Sequence, residues 1–132
     1  MKRNILNLLV LVLGVYSLCA CVKKPQEFGI LEGHVTIGPL EPVKREGAEE
    51  PTPAPEVYEA REIVIFMEDG KREFTRLKID SDGNYRSELV VGTYVVDINH
   101  IGIDMAKDLP KKIEITNERV TRLDIDIDTG IR

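Results

Sequence analysis

Few side chains in this 132-residue sequence are of types that do chemistry, and their spacing decides what they can do. There are two histidines, His34 and His100, two cysteines, Cys19 and Cys21, and three serines, Ser17, Ser81 and Ser87. A Ser-His-Asp site needs a serine beside a histidine that a carboxylate orients. Ser81 falls in the turn-type run Asp80-Ser81-Asp82-Gly83-Asn84, and Ser87 in a strand-type run with no nucleophile elbow, so no catalytic residue is expected. Asp80-x-Asp82-Gly83 has the opening of a calcium loop, yet the twelfth position counted from Asp80 is Val91 rather than a bidentate glutamate. A hairpin turn is the plainer reading. Asp124, Asp126 and Asp128 recur at the two-residue period of a strand, about 6.8 Å apart, which suits a cation or a basic partner. Half-buried strands also present such a face to water, and Arg122 on the same face eases the repulsion. These five aspartates are the weak metal candidates; a site at His34 or His100 would need carboxylates delivered by the fold, and no cofactor is implied.

The amino end carries a different chemistry. Met1, Lys2, Arg3 and Asn4 precede an uncharged, largely apolar run from Ile5 to Ala20, the n-region and h-region of a signal peptide. Sixteen residues reach only about 24 Å as a helix, short of the ~30 Å hydrocarbon layer, so a permanent span is disfavoured. The run ends in Leu18-Cys19-Ala20-Cys21, which resembles a bacterial lipobox: a branched apolar residue, two small ones, then an obligatory cysteine. The resemblance implies cleavage between Ala20 and Cys21 and a thioether-linked lipid, of palmitate type in part, on Cys21. Cys19 then leaves with the signal, so no internal disulfide is available. Two or more acyl chains hold a protein stably on a membrane. Val22 is not the aspartate that retains lipoproteins in some inner membranes, so an outer membrane is expected in a host that has one.

Loss of the first twenty residues, with Lys2 and Arg3, takes the formal net charge from −5 to −7. An acidic surface argues against nucleic acid. What remains suffices for one domain. Residues 21–28 read as a lipidated tether and 29–132 as the domain.

The elements that must position these groups are strands. From Phe28 the sequence breaks into short β-type runs, and no stretch of helical length keeps a 3.6-residue period. A first strand at 29–37 puts Leu31, Gly33, Val35 and Ile37 on one face. Residues 38–56 hold five of the seven prolines and cannot be a paired central strand; the Pro-Thr-Pro-Ala-Pro segment suits polyproline geometry. Further strands are expected at 58–68, 72–80, 85–89, 94–98, 112–116 and 119–127, with the Asp69-Gly70 pair turning the second into the third. Leu123, Ile125 and Ile127 alternate with the three aspartates. Seven short strands suit an all-β Greek-key sandwich.

Gly33-His34-Val35-Thr36, Asp82-Gly83-Asn84-Tyr85 and Leu89-Val90-Val91-Gly92-Thr93-Tyr94 together resemble the carboxypeptidase regulatory-like domains, small sandwiches of transthyretin (prealbumin) type. On that resemblance Gly83 and Gly92 take positive φ at tight corners, and Tyr85 and Tyr94 place rings in the core with hydroxyls at its edge. Thr36-Ile37-Gly38-Pro39, Pro42-Val43 and the terminal 127–132 segment resemble a narrower group of secreted bacterial proteins of unassigned activity. Many of that group carry a cysteine pair in the long loop, which has none here, and Val91 stands where proline is usual. The signature of the purine-breakdown hydrolase of this fold is not found. The expectation is a non-catalytic, membrane-anchored accessory or interaction domain of the cell envelope, with an envelope protein as partner. A hydrolase or metal-dependent enzyme accessory, and a purely structural spacer, are the alternatives.

Overall fold

The computed structural model describes residues 21–42 and 46–132; residues 1–20, where the expected signal peptide and Ala20 fall, and residues 43–45 of the long loop, including Val43, lie outside the described residues. Among the described residues nine strands and one short helix follow in order: β1 (Phe28–Gly38), α1 (Pro55–Glu59), β2 (Glu62–Met67), β3 (Glu73–Lys78), β4 (Asn84–Val90), β5 (Gly92–Ile98), β6 (Met105–Ala106), β7 (Lys111–Ile115), β8 (Val120–Arg122) and β9 (Ile125–Asp128). They form two sheets, one ordered β4-β1-β9-β6 with β8 also paired to β1, the other β3-β2-β5-β7. The chain is thus an all-β domain with a sandwich-like arrangement.

Alternation explains the layering. In β1 the residues Leu31, Val35 and Ile37 are buried while Glu32 and His34 between them are not; in β5, Tyr94, Val96 and Ile98 turn inward together. These meet Ile63 and Ile65 of β2, Ile113 and Ile115 of β7, and Leu123, Ile125 and Ile127 in one core. Each fully buried aliphatic side chain contributes roughly 1.5–3 kcal/mol of transfer free energy. Val64 is also buried, so the apolar run of β2 is covered on both faces.

Four expectations change. Nine strands replace seven, because Leu123 and Asp124 leave the ladder and divide the expected 119–127 strand into β8 and β9. A two-residue β6 adds an edge. The start of the expected 58–68 strand is instead α1, where Pro55 supplies a preset φ in the first turn, Glu56 favours the helix amino end, and Tyr58 is buried. Gly83 takes φ +83°, as does Gly70 at +67° in the Asp69-Gly70 turn, but Gly92 begins β5 and is absent from the left-handed region among the described residues. The β2–β3 connection spans 68–72, longer than a two-residue turn, and Asp69 Oδ1 accepts the Lys71 and Arg72 N–H groups. Ala54, just before α1, has φ −67° and ψ 154°, the polyproline region anticipated for its segment.

β1 runs the length of the molecule and defines its two ends. At its start lie the tether, the β4–β5 turn and the 116–119 turn: the Val91 N–H donates to Glu27 O at 2.9 Å and the Glu118 N–H to Phe28 O at 2.8 Å. We call this end the tether pole. At the other, the Thr129 hydroxyl donates to Pro39 O at 2.5 Å and its N–H to Gly38 O. This distal pole gathers the proline-rich loop, α1 and the loop between β5 and β6.

Candidate functional site

Three places bring polar or apolar groups together. The first is the gap between β8 and β9. β1 pairs in parallel with both, in one continuous register: Ile30–Glu32 with Val120–Arg122 and Val35–Gly38 with Ile125–Asp128. Opposite Gly33 and His34 the ladder is interrupted and side chains complete it. The Tyr85 hydroxyl donates to the Leu123 carbonyl at 2.5 Å, and the His34 N–H donates to Asp124 Oδ1 at 2.8 Å. Burial pushes the Tyr85 hydroxyl well above its ordinary range, so it stays a donor. The Leu123 N–H still reaches Glu32 O at 2.9 Å. Gly33 is there because nothing larger fits: a Cβ would lie 2.7 Å from the Leu123 carbonyl carbon and 2.9 Å from Tyr85 Cε1. Beside this gap Glu32 lies between Arg86 and Arg122 in register, and an open groove of about 570 Å³ also touches Lys78, Ile79 and Asp80. Its cations are already paired: Arg86 with Glu32, Arg122 with Asp124 at 3.0 Å, and Lys78 with Glu62 at 2.8 Å.

The expected acidic stripe exists, with Asp124, Asp126 and Asp128 exposed between buried Leu123, Ile125 and Ile127. Its two ends are neutralised from within the chain. The His34 N–H and then Arg122 hold Asp124 below the usual carboxylate range, and Arg132, 2.8 Å away, and the Gly130 N–H do the same for Asp128. Asp80 also serves the backbone: its Oδ1 accepts the Asp82 N–H at 2.9 Å and the Asn84 N–H at 2.8 Å, fixing the turn in which Gly83 sits. Among the described residues no three His, Cys, Asp or Glu side chains are grouped to hold a metal ion. The fold therefore does not assemble the five aspartates into one site. Among the described residues no serine hydroxyl is hydrogen-bonded to a histidine ring: the His34 ring faces Asn84 Oδ1 at 3.0 Å, the His100 ring faces Asp104 O and Asp97, and the Ser87 hydroxyl donates to Glu88 O at 3.4 Å.

The second place, at the distal pole, was not anticipated. Arg61 and Asp104 form a two-pronged ion pair at 2.7 and 3.2 Å, with side chains 13% and 5% exposed. Arg61 also donates to Val57 O at 2.9 Å, which ties α1 to the β5–β6 loop. His100, in the left-handed region at φ 44°, closes that loop. Its Nδ1 lies 3.1 Å from Asp104 O and its Nε2 3.0 Å from Asp97 Oδ1. Two acceptors favour the doubly protonated ring, and they raise its pKa above the ordinary histidine value, the Asp104 carbonyl first and Asp97 second. Asn99 Nδ2 donates to Ala60 O at 3.2 Å, and its buried Oδ1 has no partner. Among the described residues, Ile101, Ile103, Met105 and Ile131 expose apolar surface at this end, and Ile103 lies over Gly130.

The third place is the tether pole. Cys21 is a free, exposed thiol at the start of the described tether. The nearby rim exposes Phe28, Phe74, Val91 and Val120. Phe74 lies against Tyr94 with ring centroids 5.3 Å apart. Tyr94 itself is buried and its hydroxyl donates to Val90 O at 2.7 Å, as does that of Tyr85 to Leu123, so both rings sit in the core with the hydroxyl on a carbonyl at its edge.

The all-β, two-sheet fold of this chain has a likeness among solved structures. The crystal structure of the minor pilin of Streptococcus agalactiae superposes with a TM-score of 0.53 at 14% identity, over 78% of this chain and 45% of that one. A DUF3823 family protein from Parabacteroides merdae matches at TM-score 0.49 and 13% identity, over 78% and 47% of the two chains; one from Bacteroides ovatus matches at 0.43 and 19%, over 76% and 44%. The chain thus spans less than half the length of each, and at such identities the pilin likeness carries the fold alone. No protein-family model and no curated protein sequence matches the chain. Among the described residues no helix is long and apolar enough to cross a membrane.

Proposed function

We propose that this chain is a lipid-anchored, non-catalytic accessory domain of the bacterial cell envelope, a prealbumin-like sandwich that presents its distal pole to an envelope protein. The observation that supports it most is the polarity of the molecule. The exposed tether with Cys21 joins one end of β1, while the proline-rich loop, α1 and the loop carrying Ile101 and Ile103 gather at the other. A domain held at one end and irregular at the other is built to display rather than to enclose, and its open groove beside Gly33 is lined by charges that already have partners. The mixed apolar and proline-rich distal surface fits a protein partner better than a small ligand.

Two measurements test this in cells that export the chain. Cys21 should incorporate palmitate-type label, and Cys21→Ser should lose it; unchanged labelling would refute the anchor. Chemical crosslinking on intact cells followed by mass spectrometry should recover one neighbour, joined through residues of 46–60 or 99–106. Recovery of no specific neighbour leaves a structural spacer and sinks the interaction reading.

A further inference from the structure

We propose that the tether pole lies on the lipid surface, with Phe28, Phe74, Val91 and Val120 facing the headgroup boundary; this rests on the lipid-anchor reading above. The chain itself supplies the geometry. From Glu27, whose carbonyl accepts the Val91 N–H, five residues lead back to Cys21, a reach of about 20 Å even when fully extended. A lipid on Cys21 therefore keeps this pole within about 20 Å of the bilayer, close enough for its rim to reach the headgroups. The exposed large apolar side chains among the described residues divide between the two poles. Val22, Phe28, Phe74, Val91 and Val120 mark the anchored one, and Ile101, Ile103, Met105 and Ile131 the distal one.

An open groove of about 740 Å³ runs from Gln26 past Met67 and Phe74 to Val91 and Tyr94 and is lined also by Glu68, Asp69 and Arg72, so the apolar rim borders charged groups. Charge agrees. Around the pole the six cations Lys23, Lys24, Lys71, Arg72, Lys112 and Arg119 stand against seven carboxylates, among them Glu27, Glu88 and Glu118, a balance near −1, whereas the acidic stripe points its weight toward the distal end. A near-neutral apolar rim suits a zwitterionic surface, and the net acidic domain body stands away from it.

The sequence contains no tryptophan, so a single introduced one reports unambiguously. The full chain, processed and lipidated in a bacterial host, is reconstituted into phosphatidylcholine vesicles as Val91→Trp, Val120→Trp and, as the distal control, Ile103→Trp. Side chains seated ~5–10 Å into the headgroup–acyl boundary should lose about half their emission to brominated phosphatidylcholine, while Ile103→Trp should be unaffected. Mass spectrometry of the same samples checks Cys21. If Cys21 carries lipid and neither Val91→Trp nor Val120→Trp is quenched, the pole stands off the membrane and this inference falls while the anchor survives. If Cys21 carries none, the anchor reading falls and takes this inference with it. Absent quenching together with a disulfide-linked dimer of Val91→Cys would assign the rim to a second copy of the chain and overturn the proposal.

Discussion

Gly33→Ala is expected to be among the costliest single-methyl additions in this chain. The new Cβ would sit 2.7 Å from the Leu123 carbonyl carbon and 2.9 Å from Tyr85 Cε1, against an ordinary separation beyond 3.4 Å. The Leu123–Asp124 link must therefore move away from β1. That movement stretches the buried Tyr85 hydroxyl bond to Leu123 O, and with it the His34 N–H bond to Asp124. Overpacking of this kind costs about 1–3 kcal/mol, and leaving a buried carbonyl and hydroxyl badly paired adds roughly 1–3 more. A total near 3–5 kcal/mol is a large share of the ~5–15 kcal/mol that holds an ordinary domain together. Urea unfolding of residues 21–132, followed by far-ultraviolet circular dichroism, reads it directly, and thermal unfolding followed the same way should show a fall in Tm of about 15 °C or more. Tyr85→Phe removes only the hydroxyl and should cost about 1–2 kcal/mol. Because both changes act on the same carbonyl, the double variant should lose less than the sum of the two. A Gly33→Ala protein within about 1 kcal/mol of the parent would refute the account of why β1 carries glycine there.

Further outcomes follow from the distal pole. Asp104→Ala leaves the mostly buried Arg61 guanidinium without its carboxylate and should destabilise the domain by about 3 kcal/mol, whereas Arg61→Met with Asp104→Leu should recover most of that loss in the same urea assay. The folded pKa of His100 is raised above the unfolded value near 6.5, so its stabilising contribution is complete below about pH 6.5 and disappears as pH rises through the folded value. The ring is half exposed, so the slope is small; urea midpoints should fall as pH rises above about 6.5, and His100→Gln should flatten that fall. An imidazole resonance for His100 that titrates below a peptide histidine would contradict the two-acceptor geometry.

What could be read from the sequence was what repeats locally. The two-residue alternation of 31–37, 94–98 and 123–127 gave the inward faces, because a side chain's face depends only on its own strand. The Asp80 turn was legible for the same reason: its carboxylate bonds to amides two and four residues on. The Arg61–Asp104 pair was not, since the partners stand 43 residues apart and neither position carries a local signal. Pro55-Glu56 did hold a helix-start signal, a proline followed by an acidic residue, but five residues are too few for periodicity to show. The break between β8 and β9 was hidden as well. Leu123 and Asp124 fit the alternation perfectly, and only the tyrosine and the histidine amide they face, 38 and 90 residues away, take them out of the ladder.

The pairing of β1 with β8 and β9 has a kinetic consequence. Every rung of that parallel ladder joins residues 90 positions apart, for example Val35 with Ile125, so the centre of one sheet cannot close until almost the whole domain has been made. Closing so long a loop must come before any reward from the contacts, which places such chains among the slow folders, on timescales of about milliseconds to seconds. For a chain exported as proposed above, late closure is useful: the segment still inside the cell lacks the partner that would lock it, so it stays threadable until the last strand has crossed.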